Sequence, residues 1–263
     1  MECMRVAIVH DWLTGMRGGE RCLEVFCELF PDADVYTLLH VKGTVSPVIE
    51  RHRIHTSIIQ SLPLARRYYR YYLPLFPLAI ERFRLGSYDL ILSSSHCAAK
   101  GIRSPVGAKH LCYIHAPMRY VWDQFENYSG GGRSGLVARV GMELFRSRLQ
   151  RWDVASAAQV DQFVANSHNI ARKVQRYYGR PAAVVHPPVD WHSFQVAERS
   201  EEFYLMVTAF APYKRVDLAI EACNVMKRRL KIIGKGQEEA RLRKRDGPTV
   251  EFLGWQPDEV VRD

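Results

Sequence analysis

An α/β fold built on parallel sheets is what this sequence predicts, and three observations lead there. Short apolar runs bounded by turn residues recur along all 263 residues, segments of helical periodicity separate them, and several runs end in glycine-bearing turns. Such alternation joins parallel strands through crossover helices that cover both sheet faces.

The first strand is expected at 5–10, followed by strands at 34–39, 90–94, 110–115, 162–166 and 183–186. A second series is expected at 203–208, 230–233 and 250–253. Between the two series run Pro187, Pro188, Val189, Asp190 and Trp191, followed by the charged stretch 198–202. Prolines and polar runs punctuate domains, so the boundary is expected near 190: one Rossmann-like domain over 1–190 and a second starting at 191 and running to 263. The second series stops after three strands and the start of a further helix at 257–263. Three parallel strands leave open edges and an uncovered apolar face, so the chain is expected to hold only the first part of that domain. The alternative is a naturally short chain that pairs its open edge with a partner.

Composition bounds the function classes. With 47% hydrophobic and 25% charged residues, the chain falls in the range of globular proteins. The longest apolar stretch, 73–80, contains two prolines and falls short of the about 18 residues a spanning helix needs. Glu2 and Arg5 flank the first apolar run, which reads as a strand rather than a signal segment, so a cytoplasmic location is expected, with peripheral contact to the inner face of the membrane as an option. Cys3, Cys22, Cys27, Cys97, Cys112 and Cys223 show no C-x-x-C spacing, which predicts reduced thiols and no metal site. A formal charge of +9 favours anionic partners. No nucleic-acid-binding motif accompanies it, so nucleic acid is not expected.

Four stretches carry candidate chemistry. After the first strand, His10 to Glu20 forms a turn holding Gly18 and Gly19. Glycines there let backbone N–H groups approach a phosphate at a helix N-terminus, although a plain flexible turn is the alternative. Asp11 and Glu20 bracket this turn and are candidates for the acceptor side. His115 ends the strand at 110–115, where the carboxyl end of a parallel strand meets the ligand crevice. It could bond a sugar hydroxyl, or simply be satisfied by neighbouring backbone. The loop beyond it, through Trp122 to Gly135, is rich in aromatics and then in glycine, which suits an acceptor loop or a mere connector. In the second series, Lys214 and Arg215 sit at the start of a helix, against its macrodipole, and call for an anion such as a diphosphate unless they are solvated charges offset by Asp217. Gly234 and Gly236 form a further strand-to-glycine turn. Finally, 64–77 interleaves Arg66, Arg67 and Arg70 with tyrosines, a surface fit for an anionic bilayer or an amphipathic helix packing its tyrosines on the core.

Taken in order, VAIVHDWLTGMRGGER, YIHAPMRYVWDQ, FVANSHNIARKVQRYYG, VVHPPVD, APYKRVDLAIEA, IIGKGQE and VEFLGW resemble the retaining glycosyltransferases of family 4, which have the GT-B fold. The likeness is strongest to mannosyltransferases of cell-surface polysaccharide assembly. It implies a GDP- or UDP-hexose co-substrate held by its diphosphate between two domains, a lipid-linked saccharide acceptor, and no cofactor or required metal. It also implies Lys214 as the diphosphate lysine, the Gly18-Gly19 loop as the one approaching the donor, His115 as the histidine orienting the transferred sugar, and Trp122 as part of the acceptor site. Many members carry an arginine where this chain has Ala209, so Arg215 is expected to supply that charge. The family's paired glutamates would lie beyond Asp263, so this segment alone is expected to be inactive. The mechanism implied is front-face substitution assisted by the leaving phosphate. Competing readings are a GT-B nucleotide-sugar epimerase and a non-catalytic GT-B remnant.

Overall fold

The computed structural model describes residues 4–122, 136–194 and 201–262. Cys3 and the glycine-rich part of the expected acceptor loop, 127–135, lie outside them. The chain divides into two compact units, Met1–Pro188 and Val189–Asp263.

Unit 1 is a seven-stranded sheet whose strands are β1 Val6–His10, β2 Asp34–Thr37, β3 Ile54–Thr56, β4 Leu90–Ser95, β5 Lys109–Ile114, β6 Gln162–Ala165 and β7 Ala182–Val184. All pairings are parallel and the spatial order is β3-β2-β1-β4-β5-β6-β7. All five residues of β1 are buried, which is why it reads as a continuous apolar run. Val6 and Ile8 face one core with Leu23 and Cys27 of helix α1 (Gly18–Leu29), while Ala7 and Val9 face the other with Phe76 and Ile80 of helix α4 (Phe76–Glu81). Each buried valine, leucine, isoleucine or phenylalanine side chain here contributes about 1.5–3 kcal/mol.

Two short helices, α2 Pro47–Glu50 and α3 Ala65–Tyr68, precede α4. Helix α5, Leu136–Ala157, joins β5 to β6, and α6, His168–Tyr178, joins β6 to β7. The α6 ends follow from sequence: Ser167 Oγ accepts a hydrogen bond from the Ile170 N–H at 3.3 Å, and Gly179, left-handed at φ 66°, closes the helix.

Three departures from expectation have physical causes. The edge strand β3 was not expected, because three residues show no periodicity. β2 ends at Thr37 rather than 39, because the chain turns to follow the segment after β1: Leu38 N–H donates to Asp11 O at 3.1 Å and Leu13 N–H to Leu39 O at 2.7 Å. β7 ends at Val184, short of the prolines at 187 and 188.

Unit 2 is a parallel sheet in the order β10-β9-β8, built from β8 Tyr204–Val207, β9 Leu230–Ile233 and β10 Val250–Gly254. Helix α7, Val216–Met226, packs Val216, Ile220 and Cys223 with Leu230, Ile232 and Phe210, and α8, Glu239–Arg243, adds Leu242. A last helix, α9, spans Asp258–Arg262. On the edge strand β8, Leu205 and Val207 are about half exposed, at 49% and 51%. Cys22, Cys27, Cys97, Cys112 and Cys223 are buried free thiols. Among the described residues no helix is long and apolar enough to cross a membrane.

Candidate active site

In unit 1 the strand order reverses between β1 and β4. Connections on the two sides of such a point run to opposite faces, so a crevice opens at the carboxyl ends of the strands. The residues found there are His10, the last of β1, its register partner Ser94 near the end of β4, and His115, just past β5.

These three form a chain of contacts. Ser94 Oγ lies 3.1 Å from His10 Nδ1 and 2.9 Å from His115 Nε2. On its other side, His10 Nε2 lies 3.9 Å from Glu20 Oε1, which is ion-pair reach but too long for a hydrogen bond. Neutral His10 is electrostatically best placed with its N–H on Nε2, toward the carboxylate. Nδ1 of His10 then accepts from the Ser94 hydroxyl, Ser94 accepts from His115 Nε2–H, and Nδ1 of His115 is left as an acceptor. Burial, reinforced by the neighbouring His10 and His96, lowers the His115 pKa to about 3. At neutral pH it is therefore an uncharged imidazole, suited to bonding a hydroxyl rather than to donating a proton.

Gly19 belongs to the same crevice. A Cβ built there would stand 3.5 Å from His10 Cε1 and 3.9 Å from His115 Nε2, whereas Gly18 faces open space. Thus Gly19 and His115, distant in sequence, are neighbours in the crevice.

The acceptor-side candidates take other roles. Asp11 is fully buried, and its carboxylate accepts from the backbone N–H groups of His96, Cys97, Ala98 and Ala99 at 2.6–3.0 Å and pairs with His96 Nδ1 at 2.9 Å. Burial alone would raise its pKa, but these donors and the adjacent imidazoles hold it well below the carboxylate range. It organises the turn after β4 and has no surface to offer a sugar. Glu20, 3% exposed, sits in the first turn of α1, where negative charge suits the helix N-terminus. Burial would raise its pKa, yet His10, a backbone hydrogen bond and Arg17 together outweigh that and keep it lowered. Its partner is His10. Trp122 donates from Nε1 to Asp153 Oδ2 at 2.8 Å and stacks on Tyr177 at 4.3 Å between ring centroids. Asp153 also accepts from Tyr178 Oη at 2.8 Å and pairs with the buried Lys100 Nζ at 2.8 Å, so Trp122 is anchored inward.

In unit 2, Lys214 ends the 3₁₀ turn Pro212–Lys214 and is exposed, with its ammonium 5.5 Å from the Tyr213 ring centre. Arg215, left-handed at φ 49°, opens α7, and its guanidinium grips Asp217 with two hydrogen bonds of 3.0 and 3.1 Å. Arg215 is therefore already matched by Asp217, and Lys214 is the cation of the pair without a carboxylate partner among the described residues. A hollow of about 260 Å³ beside them is lined by Arg215, Asp217, Glu238 and Arg241, charges that pair with one another. Gly234 and Gly236 answer first to packing. A Cβ on Gly234 (φ 147°) would fall 1.8 Å from Thr208 O, and one on Gly236 would fall 2.6 Å from Phe210 O. Both let the loops after β8 and β9 close on each other, with Phe210 N–H donating to Lys235 O at 3.0 Å.

The arginine and tyrosine stretch is not one amphipathic helix. Leu64, left-handed at φ 53°, leads into a single α turn, and a 3₁₀ run, Tyr69–Leu75, follows. Tyr69 is buried in the core, whereas Tyr68 and Tyr71 are exposed, as are Arg66, Arg67 and Arg70.

Two parallel-sheet units of this make, the first with a strand-end histidine at its switch point, are of the GT-B type. The sequence profile of Glycosyltransferase Family 4 matches residues 16–192. The chain belongs to glycosyltransferase family 4. Among solved structures, HepE of Anabaena in complex with UDP superposes with a TM-score of 0.63 at 15% identity, covering 97% of this chain and 70% of that one. Sucrose-phosphate synthase of Thermosynechococcus elongatus superposes with a TM-score of 0.61 at 13% identity, covering 99% of this chain and 72% of that one. At such identities the likeness is one of fold. No curated protein sequence matches significantly.

His10, Ser94 and His96 were not singled out from sequence. The rule that selected His115, a polar residue at the carboxyl end of a parallel strand, applies equally to His10 and to the Ser93–His96 stretch.

Proposed function

We propose that this chain serves in the transfer of a hexose, mannose by preference, from a GDP- or UDP-sugar to a lipid-linked or polysaccharide acceptor, with retention of anomeric configuration, in the assembly of a cell-surface glycan. The observation that carries this reading is the neutral His115, held by Ser94 at the switch point with Gly19 beside it. A hydroxyl-rich ring is the ligand such a group suits. Support for the diphosphate donor comes from HepE of Anabaena, solved in complex with UDP and with UDP and glucose.

Unit 2 offers Lys214 and the amide end of α7 to the diphosphate, whose negative charge grows as the glycosidic bond breaks. Unit 1 offers His115 to the sugar hydroxyls. In a front-face substitution the leaving phosphate oxygen takes the proton of the attacking acceptor hydroxyl, so no protein carboxylate acts as nucleophile. Charge neutralisation by Lys214 and backbone amides calls for no metal.

The test is release of nucleoside diphosphate from a panel of nucleotide sugars by the full gene product, with a lipid-linked acceptor and with and without a chelator. Turnover that survives the chelator and drops at least about a hundredfold in both Lys214→Ala and His115→Ala is the expected result. Absence of turnover with every donor, or turnover indifferent to both substitutions, would reject the reading.

A further inference from the structure

Unit 1 holds a second cavity, of about 680 Å³, whose lining includes Arg17, Arg66, Arg67 and Arg70 and no carboxylate among the described residues. The like charges of Arg17, Arg66 and Arg67 around one hollow repel one another and are stabilised by an anion placed among them. Arg66 and Arg67 have no carboxylate partner among the described residues, and the Arg67 guanidinium sits 5.3 Å from the Tyr68 ring centre. The rest of the wall is aromatic and apolar, with Trp12, Tyr71, Leu73 and Phe76 among its residues. Tyr71 is 80% exposed, an apolar ring presented to solvent at the rim. The backbone is shaped here at some cost, since a left-handed leucine stores on the order of 1 kcal/mol and a seven-residue 3₁₀ run is unusually long.

The cavity also adjoins the site. Thr14 and Arg17 in its wall belong to the turn that carries Gly18 and Gly19, and Trp12 meets His96 edge-on at 4.4 Å between ring centroids.

We propose that this cavity is a binding pocket for a phosphate- or diphosphate-bearing amphiphile, with the arginines taking the anion and the aromatic wall the apolar body. Naming that amphiphile the acceptor rests on the transferase reading above; the pocket itself does not. Charge and apolar wall lie within one cavity, which favours a single small molecule carrying both over a flat lipid surface.

Calorimetric titration with geranyl diphosphate, inorganic diphosphate and geraniol tests it, in a Lys214→Gln background so that the expected donor site does not contribute. Geranyl diphosphate should bind at least about tenfold more tightly than either half alone, and Arg66→Gln with Arg67→Gln should weaken it about tenfold or more, the loss expected for one to two charge-assisted bonds. Arg17→Gln should weaken it too. Circular dichroism of the variants should be unchanged, since all three side chains are exposed. Equal affinity in the arginine variants, or geraniol binding as well as its diphosphate, overturns the proposal. So does loss of binding to phosphatidylglycerol vesicles while geranyl diphosphate binding persists, which would assign the arginines to a membrane surface. Arginine-dependent binding without any nucleotide-sugar turnover keeps the pocket and discards the transferase reading; turnover without such binding does the reverse.

Discussion

Ser94 Oγ stands 2.9 Å from His115 Nε2 and, on its other side, 3.1 Å from His10 Nδ1, so a single hydroxyl links two imidazoles that come from different strands. With the His10 proton on Nε2, toward Glu20, Ser94 donates to His10 and accepts from His115 Nε2–H. Ser94→Ala should leave the fold intact, because the hydroxyl is the only group removed. Each hydrogen bond lost is worth about 1 kcal/mol, so kcat/KM should fall about five- to thirtyfold. Glu20→Gln should act in the same direction by weakening the preference of His10 for its Nε2–H form. An unchanged kcat/KM in Ser94→Ala, measured with the donor that the full gene product turns over, would show that His115 needs no such support.

Acid should loosen unit 1 before the carboxylates of the unfolded chain begin to titrate. Burial lowers His115 to about 3 and His110 to about 4, while in the unfolded chain both titrate near about 6.5. Between those limits the unfolded state binds protons that the folded state refuses, so stability is complete above about 6.5 and is lost as pH falls. Two such groups give a slope approaching about 2.7 kcal/mol per pH unit near pH 5. Urea midpoints at pH 7, 6 and 5 should fall accordingly, and His110→Gln should flatten the trend. A midpoint that rises on acidification would contradict the assignment.

Much of this was legible in the sequence, for reasons that differ between elements. Strand β1 is buried on both faces, so its apolar run is continuous and easily read. β3 is three residues at a sheet edge, with nothing periodic to show. His115 is legible because strand ends carry function, whereas Asp11, an acceptor-side candidate as a residue bracketing the glycine turn, is the buried cap of the turn after β4. One-dimensional position cannot tell a carboxylate facing a crevice from one that satisfies four buried N–H groups. Trp122 shows the same limit, since Asp153, the residue that holds its indole, is far away in the chain. At Arg215 the alternative of offset by Asp217 was visible in the sequence, and the two hydrogen bonds show it to hold.

The pairing of Lys100 with Asp153 places two opposite charges in the interior of unit 1. Lys100 is 1% exposed and Asp153 fully buried, and the ammonium also donates to Asp153 O at 2.8 Å and Ser156 Oγ at 2.6 Å. Lys100→Met strands the carboxylate and should cost about 3–5 kcal/mol. Lys100→Met combined with Asp153→Leu removes both charges but also frees Trp122 Nε1 and Tyr178 Oη, so it should recover only part of that loss. A denaturant series on the single and double variants checks the order. A double variant less stable than Lys100→Met would mean that the Trp122 and Tyr178 bonds outweigh the stranded charge.

Unit 2 can be probed apart from unit 1 through Gly234. At φ 147° an L side chain is strained by itself, and here a Cβ would also drive into the Thr208 carbonyl at 1.8 Å. The atom met is backbone, so the relief available is to part the loops after β8 and β9, breaking the Phe210 N–H to Lys235 O bond at 3.0 Å. Gly234→Ala should therefore cost at least about 3 kcal/mol, combining an unfavourable conformation with a lost buried bond. Because Lys214 lies in the segment that this closure positions, donor binding should weaken along with stability, while the acid-dependent unfolding of unit 1 stays as it was. Hydrogen exchange of the 203–254 amides, read beside those of 6–114, separates the two effects. Equal protection in Gly234→Ala and the parent would show that the loops do not depend on this close approach.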